Sequence, residues 1–292
     1  MDKVAVVVPT NRPEKMADFK KAWGDINLIT VWDGDKPVLE YKDKKYSVKD
    51  IMGKYSSTII NRCAYVRNLG FAYIARFLPK VEYIVTLDDD VTPVGDTIGD
   101  HVKALNMKVP VNWMSVGNAY TRGFPYEVRD EAPVMMSHGV WLGSPDHDAP
   151  TQLVQGLEEM KFHKMPIPKG IYCPLSGMNF AFKREMLPYY YQAPRTDEVN
   201  RMGDIWGGII AKRIADEKGW ATVTGYSVVH HDRASNVWTN LKKEPHALKL
   251  NETFWKGQED DKYFKKYKRL RRLYESYILS YEGRTYVPPT MA

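Results

Sequence analysis

Apolar and polar residues alternate along the first half of the chain in a pattern typical of strands separated by helices. Strand-like apolar runs cover Val4 to Pro9, Leu28 to Trp32 and Glu82 to Leu87, and helix-like stretches cover Glu14 to Trp23 and Ser57 to Phe77. Strands that alternate with helices in this way form a parallel sheet through right-handed crossovers. The first half is therefore predicted to be a Rossmann-like βαβαβ unit.

The second half of the chain differs in amino-acid composition. From Val109 onward Gly, Pro and aromatic residues become more frequent, which predicts shorter strands in a mixed sheet that shapes an acceptor pocket. Ile205 to Lys218 is helix-like, and Asp204 in front of it has the position of an N-cap. No clear linker is found before about residue 240.

The C-terminal segment combines an aromatic seam with a basic face. The seam, at spacings of four and three, consists of Tyr263, Tyr267, Leu270, Tyr274, Tyr277 and Tyr281. The basic residues are Lys262, Lys265, Lys266, Lys268, Arg269, Arg271 and Arg272. Basic groups among aromatic rings can clamp nucleic acid, whereas a regular repeat is typical of a docking or oligomerisation helix with solvated charges. The regular repeat favours the second interpretation, so we expect a homo-oligomer and no nucleic-acid partner.

Composition narrows the class of protein. The 292 residues, 43% hydrophobic and 27% charged, are typical of a globular chain, and the net charge of +6 mildly favours anionic ligands. The two cysteines, Cys63 and Cys173, are far apart in sequence, which favours reduced thiols over a disulfide framework or a zinc site. The first strand follows the N-terminus too closely for a secretory signal, and no long apolar stretch occurs, so we expect a cytoplasmic protein without a membrane segment.

Three adjacent carboxylates follow the third predicted strand. Asp88, Asp89 and Asp90 come directly after Leu87, and ligands of open α/β sheets bind beyond the carboxyl ends of the strands. Alternation along an extended segment would point Asp88 and Asp90 to one side, where both could bind one Mg²⁺ or Mn²⁺ ion that bridges to a diphosphate. A solvated acidic turn is the alternative.

Polar groups also follow other predicted strands. Thr10 follows the first strand, and Asp33 and Asp35 follow the second, where carboxylates can accept hydrogen bonds from a ribose or a base. An Asp-Gly turn explains Asp33 equally well. His231 ends a later strand and could donate a ring nitrogen to the same ion as the Asp-x-Asp pair, although a structural role is commoner for such a histidine.

Loops between residues 120 and 153 combine polar reactive groups with aromatic rings among Gly and Pro. The residues concerned are Arg122, Arg129, His138, Trp141, Asp146, His147 and Asp148. Loops of this composition commonly form binding surfaces on a rigid scaffold, and a sugar would fit them.

Several segments closely resemble one known family. They are RGFP at 122–125, SHGVWL at 137–142, PDHDAPTQL at 145–153, IPKG at 167–170, GMNFAF at 177–182, ASN at 234–236 and NLKKE at 240–244. Together with the acidic triplet they resemble, in order, the reversibly glycosylated polypeptides, which are UDP-arabinopyranose mutases. The resemblance implies an α/β, glycosyltransferase-A-like fold with a Rossmann-like nucleotide-binding half, a mixed central sheet and a C-terminal helical tail. It also implies a UDP-sugar substrate, a divalent metal, and reversible self-glycosylation on an arginine during interconversion of UDP-L-arabinopyranose and UDP-L-arabinofuranose.

The resemblance also implies roles for individual residues. Asp88, Asp90 and His231 would bind the metal ion. The residues assigned to the nucleotide are Thr10, Asp33, Asp35, Arg67, Asp89 and His138. The catalytic residues would be Arg122 as the glycosylated arginine, Arg129 in the same segment, and Asp148 and Asp204 as sugar-side carboxylates. The chain between Asp35 and Asp88 matches the family poorly, which leaves the base contacts there open.

Three functions compete at this point. A mutase is favoured because the arginine segment is present as well as the nucleotide-binding half. A glycosyltransferase that passes a pentose to a modified DNA base, a polysaccharide or a lipid would use the same donor site, and a non-catalytic scaffold is the third possibility. The expected organisation is a catalytic domain over 1–244, with a nucleotide-binding half at 1–108 and a sugar-binding half at 109–244, followed by a helical extension over 245–292.

Overall fold

A computed structural model describes most of the chain. The described residues are 2–61, 63–114, 120–156, 161–196, 199, 201–232 and 236–282. Two residues of the family-like segments, Ala234 and Ser235, and the end of the predicted helical extension, 283–292, lie outside them.

The described strands form a mixed sheet. They are β1 (Val4–Thr10), β2 (Leu28–Trp32), β3 (Val38–Tyr41), β4 (Lys44–Ser47), β5 (Tyr83–Leu87), β6 (Val91–Pro93), β7 (Lys108–Val109), β8 (Ala132–Gly143), β9 (Met165–Ile167), β10 (Asn179–Lys183) and β11 (Ala221–His231). Their order is β4-β3-β2-β1-β5-β10-β8-β11-β6, with β7 beside β8 and β9 beside β11. β1 is parallel to β2 and β5, β8 is parallel to β11, and β10 runs antiparallel to both β5 and β8.

Helices pack on both faces of this sheet. They are α1 (Pro13–Trp23), α2 (Val48–Met52), α3 (Asn68–Phe77), α4 (Thr97–Leu105), α5 (Ala149–Gln155), α6 (Gly203–Glu217), α7 (Val237–Lys243), α8 (Pro245–Phe254) and α9 (Lys262–Tyr281). Side chains of α1 and α4 belong to one buried hydrophobic cluster, and side chains of α3, α6, α8 and α9 belong to the other. The predicted α/β fold with a mixed sheet, a Rossmann-like first half and a C-terminal helix is confirmed.

The predicted helix over Ser57 to Phe77 is wrong in its first half, because α3 begins only at Asn68. Two short 3₁₀ helices, Gly53–Thr58 and Ala64–Arg67, precede it. The Thr58 hydroxyl donates to the Tyr55 carbonyl at 2.8 Å. Local bonds of this kind compete with the hydrogen bonds of an α-helix and end it.

The expectation of shorter strands after Val109 is also wrong. β8 has 12 residues and β11 has 11, which makes them the longest strands that the structure describes. Gly225 does not end β11, because its positive φ of 82° lets the strand continue through a register shift against β8. Glycine was therefore the signal of a bulge and not of a strand end.

The predicted aromatic seam of α9 is confirmed and packs into the core of its own chain. Tyr267 and Tyr277 are buried, and their hydroxyls donate to the carbonyls of Tyr191 at 2.8 Å and Ile51 at 2.6 Å. Tyr281, at the end of the seam, is exposed. Because the buried part of the seam is already covered, it supplies no surface for a second copy, and the predicted homo-oligomer would need another interface.

Two further expectations concern the whole chain. The structure describes no helix with both the length and the apolar character that a membrane crossing requires. Cys63 and Cys173 are free thiols, as predicted. The division of the chain at residues 108 and 244 stays a prediction.

Candidate functional site

The acidic triplet stands where the carboxyl ends of several strands meet. β1 and β2 end at Thr10 and Trp32, and the next residue, Asp33, donates its backbone N–H to the Thr10 carbonyl at 2.7 Å. The end of β11 joins the same edge, since Asp232 donates its N–H to the Asp90 carbonyl at 3.1 Å. The fold thus brings Thr10, Asp33, the triplet and His231 together, as the strand order requires.

The three carboxylates differ in their partners. Asp88 pairs with Arg67, whereas the Arg12 guanidinium contacts both Asp89 and Asp90, the latter at 3.2 Å. Alternation along a strand does not describe the triplet, because β5 ends at Leu87 and a turn follows. Ion pairs with two arginines, and not the pleat of a strand, therefore decide where these carboxylates point.

Arg67 and Asp89 were predicted to bind the nucleotide, and both hold the triplet in place. Arg67 is buried and donates through Nη1 to the Thr86 hydroxyl at 2.7 Å and to the Gly177 carbonyl. Asp89 is buried as well and accepts a hydrogen bond from the Thr10 hydroxyl. Both residues thus connect the triplet to neighbouring strands and loops.

His231 has the surroundings of a metal ligand. Its Nδ1 lies 2.7 Å from the Ser144 carbonyl oxygen, and because a carbonyl can only accept, Nδ1 carries the proton. The other ring nitrogen, Nε2, lies 3.9 Å from Asp90 Oδ1. A carbonyl that fixes the other ring nitrogen is the usual support of a metal-binding histidine.

The donor set of Asp88, Asp90 and His231 fits a hard divalent ion, although arginines contact the carboxylates in this structure. Burial, and then the charge of Asp88, raise the pKa of the Asp90 carboxyl, so a cation beside it would be favourable. Within the described ranges no three His, Cys, Asp or Glu side chains already form a metal-binding group. The metal requirement therefore stays a prediction.

A cavity of about 470 Å³ lies next to Asp88. Its wall includes Arg67, Asp146, Asp148, Ser176, Arg201 and Asp204. A volume of this size suits a small ligand, and the polar wall suits a hydroxyl-rich one.

Asp204 is the chemically most distinctive group of this cavity. It lies deep among protein atoms with part of its surface open to the cavity, and its Oδ2 accepts the Gly177 N–H at 3.0 Å. The Ser176 hydroxyl lies 3.5 Å from this oxygen and 3.2 Å from Asp146 Oδ2. Burial, and then the charge of Asp146, raise the pKa of Asp204 to about 6. Two neighbouring carboxylates in different surroundings are typical of an acid–base site.

The expectation that Asp204 caps its helix is wrong. Asp204 is the second residue of α6, and the N-cap position belongs to Met202, which makes no side-chain capping bond. Asp148 is instead the residue with a capping role, because it is the N-cap of α5 and accepts the Thr151 N–H at 2.9 Å. Asp148 also lines the cavity, so its predicted place near the sugar is compatible with the cap.

The predicted uridine side is the edge at Asp33 and Asp35. Asp33 accepts the Gly34 N–H at 2.9 Å, and the chain bends at residues 34–36. Asp35 is exposed, and its carbonyl accepts a hydrogen bond from Asn61 at 3.0 Å. The bend leaves Asp35 at the surface of this edge, and the contact of Asp33 and Asp35 with a nucleotide stays a prediction.

His138 lies inside the protein and is not among the described residues that line the cavity. Its Nδ1 is 3.0 Å from the Thr224 hydroxyl, and its Nε2 is buried without a partner in the described part of the chain. Burial lowers the pKa of His138 to about 4, so the ring is neutral at physiological pH. Its assignment to the nucleotide stays a prediction.

Arg122 and Arg129 lie at the other end of β8. This strand runs from Ala132 to Gly143, and Gly143 pairs with His231 at the edge of the triplet. At about 3.3 Å per residue the two ends of the strand are roughly 35 Å apart.

The loop that carries the two arginines is tied to the Ala132 end. Trp113 donates to the Asp130 carbonyl at 3.3 Å, and Tyr120 donates to the Arg129 carbonyl at 2.9 Å. Arg129 packs over the Tyr126 ring at 3.8 Å, and Arg122 is exposed. The structure therefore does not bring these arginines to the cavity of their own chain, and their chemical roles stay predictions.

Several residues of the site had no individual role in the predictions, although Asp146 was among the loop residues predicted to form a sugar-binding surface. Arg12 contacts the triplet, and Asp146, Ser176, Arg201 and Glu244 line the cavity. Asp146, Ser176 and Glu244 belong to or adjoin segments that resemble the family, which was the available signal. No pattern in the sequence distinguished Arg201.

Comparisons with known proteins show which family the chain resembles. The family model described as reversibly glycosylated polypeptide matches residues 1–256. UDP-arabinopyranose mutase 3 of Arabidopsis thaliana is 34% identical over 290 residues, which cover 88% of this chain and 76% of that protein. UDP-arabinopyranose mutase 1 of the same plant is 33% identical, with 89% and 77% covered, and the probable UDP-arabinopyranose mutase 1 of Pisum sativum is 33% identical, with 88% and 76% covered.

Among solved structures the likeness is weaker. Glucosyl-3-phosphoglycerate synthase from Mycobacterium tuberculosis, in complex with Mg²⁺ and uridine diphosphate, is 13% identical and covers 97% of this chain and 80% of its own, with a TM-score of 0.40. A likeness at this TM-score supports no conclusion about function.

Proposed function

Because the chain belongs to the reversibly glycosylated polypeptide family, we propose that it is a metal-dependent mutase that interconverts UDP-L-arabinopyranose and UDP-L-arabinofuranose. The observation that carries this proposal is the position of Asp204, a carboxyl group of pKa about 6, in a cavity beside the acidic triplet. The triplet suits the diphosphate, and the adjoining cavity has room for the sugar.

Asp88, Asp90 and His231 would hold Mn²⁺ or Mg²⁺, which when bound neutralises charge on the departing diphosphate. Thr10 and Arg12 support this arrangement by holding Asp89. The carboxylates of Asp33 and Asp35 would accept hydrogen bonds from the uridine.

The interconversion needs a group that both accepts and returns a proton. The bond between the anomeric carbon and the UDP oxygen breaks, and UDP leaves with the electron pair. The C4 oxygen then bonds to the anomeric carbon and loses its proton, while the bond between the anomeric carbon and the former ring oxygen breaks and that oxygen gains a proton as the C5 hydroxyl. The UDP oxygen finally bonds to the anomeric carbon again, which gives the furanose nucleotide. Asp204 can carry a proton between these oxygens because its pKa lies near 6, close to neutral pH.

Asp146 and Ser176 would tune this transfer. The charge of Asp146 helps to raise the pKa of Asp204, and the Ser176 hydroxyl lies between the two carboxylates. One hydroxyl hydrogen can serve only one of them at a time, so the other carboxylate stays available to a sugar hydroxyl.

The proposal is tested by incubating the protein with UDP-arabinopyranose and Mn²⁺ and separating the products. A furanose nucleotide is the expected product, and the Asp204→Asn variant should not form it because an amide cannot carry the proton. Formation of UDP and free sugar alone would contradict the mutase.

The position of Arg122 favours one second function. Arg122 is exposed in a loop tied to the Ala132 end of β8 and is not among the described residues that line the cavity, so transfer to an external acceptor is the alternative. That acceptor would be a polysaccharide, a lipid, a modified DNA base or Arg122 of another copy. Addition of a candidate acceptor to the same assay distinguishes transfer from isomerisation, because only transfer consumes the acceptor.

A further inference from the structure

Arg201 and Glu244 form an ion pair in the wall of the cavity. Arg201 Nε donates to Glu244 Oε1 at 2.7 Å, and Glu244 is only 2% exposed. The second oxygen, Oε2, accepts the Ala149 N–H at 2.7 Å. Both carboxylate oxygens are therefore used, and Glu244 fixes the segment of Arg201 relative to the start of α5.

The backbone of Arg201 is held in an uncommon conformation. Its φ is +67°, in the left-handed region that residues with a side chain rarely adopt. Such a conformation persists where surrounding contacts impose it, and it occurs often at ligand sites. The pair with Glu244 is a contact of this kind, and it determines where the guanidinium lies.

Arg201 keeps hydrogen-bond donors for a ligand. Its Nη atoms have no partner among the residues that the structure describes, and the residue lines the cavity. Arg67, in contrast, uses its Nη atoms on Asp88, Thr86 and Gly177. A guanidinium anchored through Nε presents a planar pair of donors, which matches the oxygens of a phosphate.

Within an otherwise acidic cavity wall, the unused donors of Arg201 decide where an anion would bind. Asp88, Asp146, Asp148 and Asp204 all line the wall, and carboxylates repel an anionic ligand. An anion that enters the cavity is therefore stabilised where Arg201 faces it.

We propose that Arg201 binds a phosphate oxygen of the nucleotide diphosphate and that Glu244 is its positioning residue. The identity of this anion rests on the proposed function, whereas the anion site itself rests on the ion pair, the unused donors and the cavity wall. Arg201 would stabilise the diphosphate both in the bound nucleotide sugar and after the sugar has left.

The test compares binding of UDP and of uridine by calorimetry, in EDTA so that no metal ion contributes. Arg201→Gln should raise the dissociation constant for UDP on the order of 10- to 100-fold, because a charge-assisted hydrogen bond is lost. Uridine, which has no phosphate, should bind the variant and the wild type equally. Glu244→Gln should weaken UDP binding in the same direction but less, because the amide keeps one acceptor oxygen for Arg201.

Arg213→Gln is the matched control. Arg213 also pairs with a glutamate, Glu259, but it lies ten residues along α6 and does not line the cavity. Its variant should bind UDP like the wild type. Arg201→Lys provides a second variant, which keeps the positive charge but lacks the planar pair of N–H donors. Its affinity for UDP should fall between those of the wild type and Arg201→Gln.

The outcomes separate this inference from the proposed function. Unchanged UDP affinity in both Arg201 variants, or an equal loss of uridine affinity, would overturn it even if the wild type is a mutase. A selective loss of UDP affinity supports it even if the wild type forms no furanose nucleotide. Circular dichroism establishes that each variant is folded before binding is measured.

Discussion

At the scale of single residues, the site consists of charged groups whose partners set their chemistry. Arg67 is buried and pairs with Asp88, whereas Arg12 is partly exposed and contacts Asp89 and Asp90. Asp204 lies beside Asp146 and has a pKa of about 6. Neighbouring carboxylates with the same side chain are therefore expected to respond differently to mutation.

Asp90→Asn and Asp88→Asn should differ in stability but not in activity. Both should lose turnover and the metal-dependent part of UDP binding, because each removes a predicted ligand of the ion. Asp88→Asn leaves the buried Arg67 without its carboxylate and should lower the free energy of unfolding by about 3 kcal/mol. Urea denaturation measures the stability, and calorimetry with and without Mn²⁺ measures the binding of UDP. The control is Asp96→Asn, which changes one partner of an exposed ion pair. Full turnover of either variant in EDTA would contradict the metal site.

Asp204 should give both activity and stability a pH dependence. Its pKa in the folded protein is about 6, above the value of about 3.9 for an unfolded aspartate, so the folded state binds the proton more tightly. The free energy of unfolding should therefore fall on the order of 2 kcal/mol as the pH rises from about 4 to about 6. Activity should rise over the same range if the carboxylate accepts the proton. Asp204→Asn should lose this part of the stability profile, and an unchanged profile would show that another group titrates.

At the scale of elements, α9 stabilises the catalytic chain through its aromatic face. Tyr267 donates its hydroxyl to the Tyr191 carbonyl, whereas the buried hydroxyl of Tyr274 has no partner in the described residues. Both rings are almost fully buried. The two tyrosines thus form a matched pair that differs in one hydrogen bond.

Tyr267→Phe should lower the free energy of unfolding by about 1 kcal/mol, because a buried carbonyl loses its donor. Tyr274→Phe should be neutral or stabilising, because it removes a buried hydroxyl that lacks a partner. Urea titration followed by circular dichroism measures both. Equal losses in the two variants would show that the hydrogen bond of Tyr267 adds no stability.

At the scale of the whole molecule, the sheet separates two groups of predicted site residues. The triplet and His231 lie at one edge, and the loop of Arg122 and Arg129 is tied to the opposite end of β8. An exposed Arg122 can be reached by the cavity of another copy. The predicted self-glycosylation is therefore expected to occur between molecules.

A mixing experiment tests this. Asp90→Asn keeps Arg122 but should not turn over, and Arg122→Lys keeps the triplet but lacks the acceptor. Incubated separately with the UDP-sugar, neither should gain a pentose on residue 122. Incubated together, the Asp90→Asn chain should gain it, as intact-protein mass spectrometry can show. Addition of a pentose to the wild type at a rate independent of protein concentration would instead indicate transfer within one chain.

The sequence by itself determined the strands and helices that depend on residues close together along the chain. The period of apolar residues predicted β1, β2, β5, α6 and the buried face of α9, because side-chain alternation and helical spacing are local properties. It also placed the triplet at a strand end. It failed at Ser57 to Phe77, where the Thr58 hydroxyl bonds to the backbone, and at β11, where Gly225 allows a bulge.

Only the tertiary structure decided which distant groups meet. The pairing of Arg201 with Glu244 spans 43 residues, and that of Arg12 with Asp89 spans 77. The pKa of Asp204 depends on burial and on Asp146, neither of which a local pattern contains. The separation of Arg122 from the triplet follows from the length and direction of β8 in the sheet. Contacts of this kind arise from strand order and packing, so local sequence patterns do not determine them.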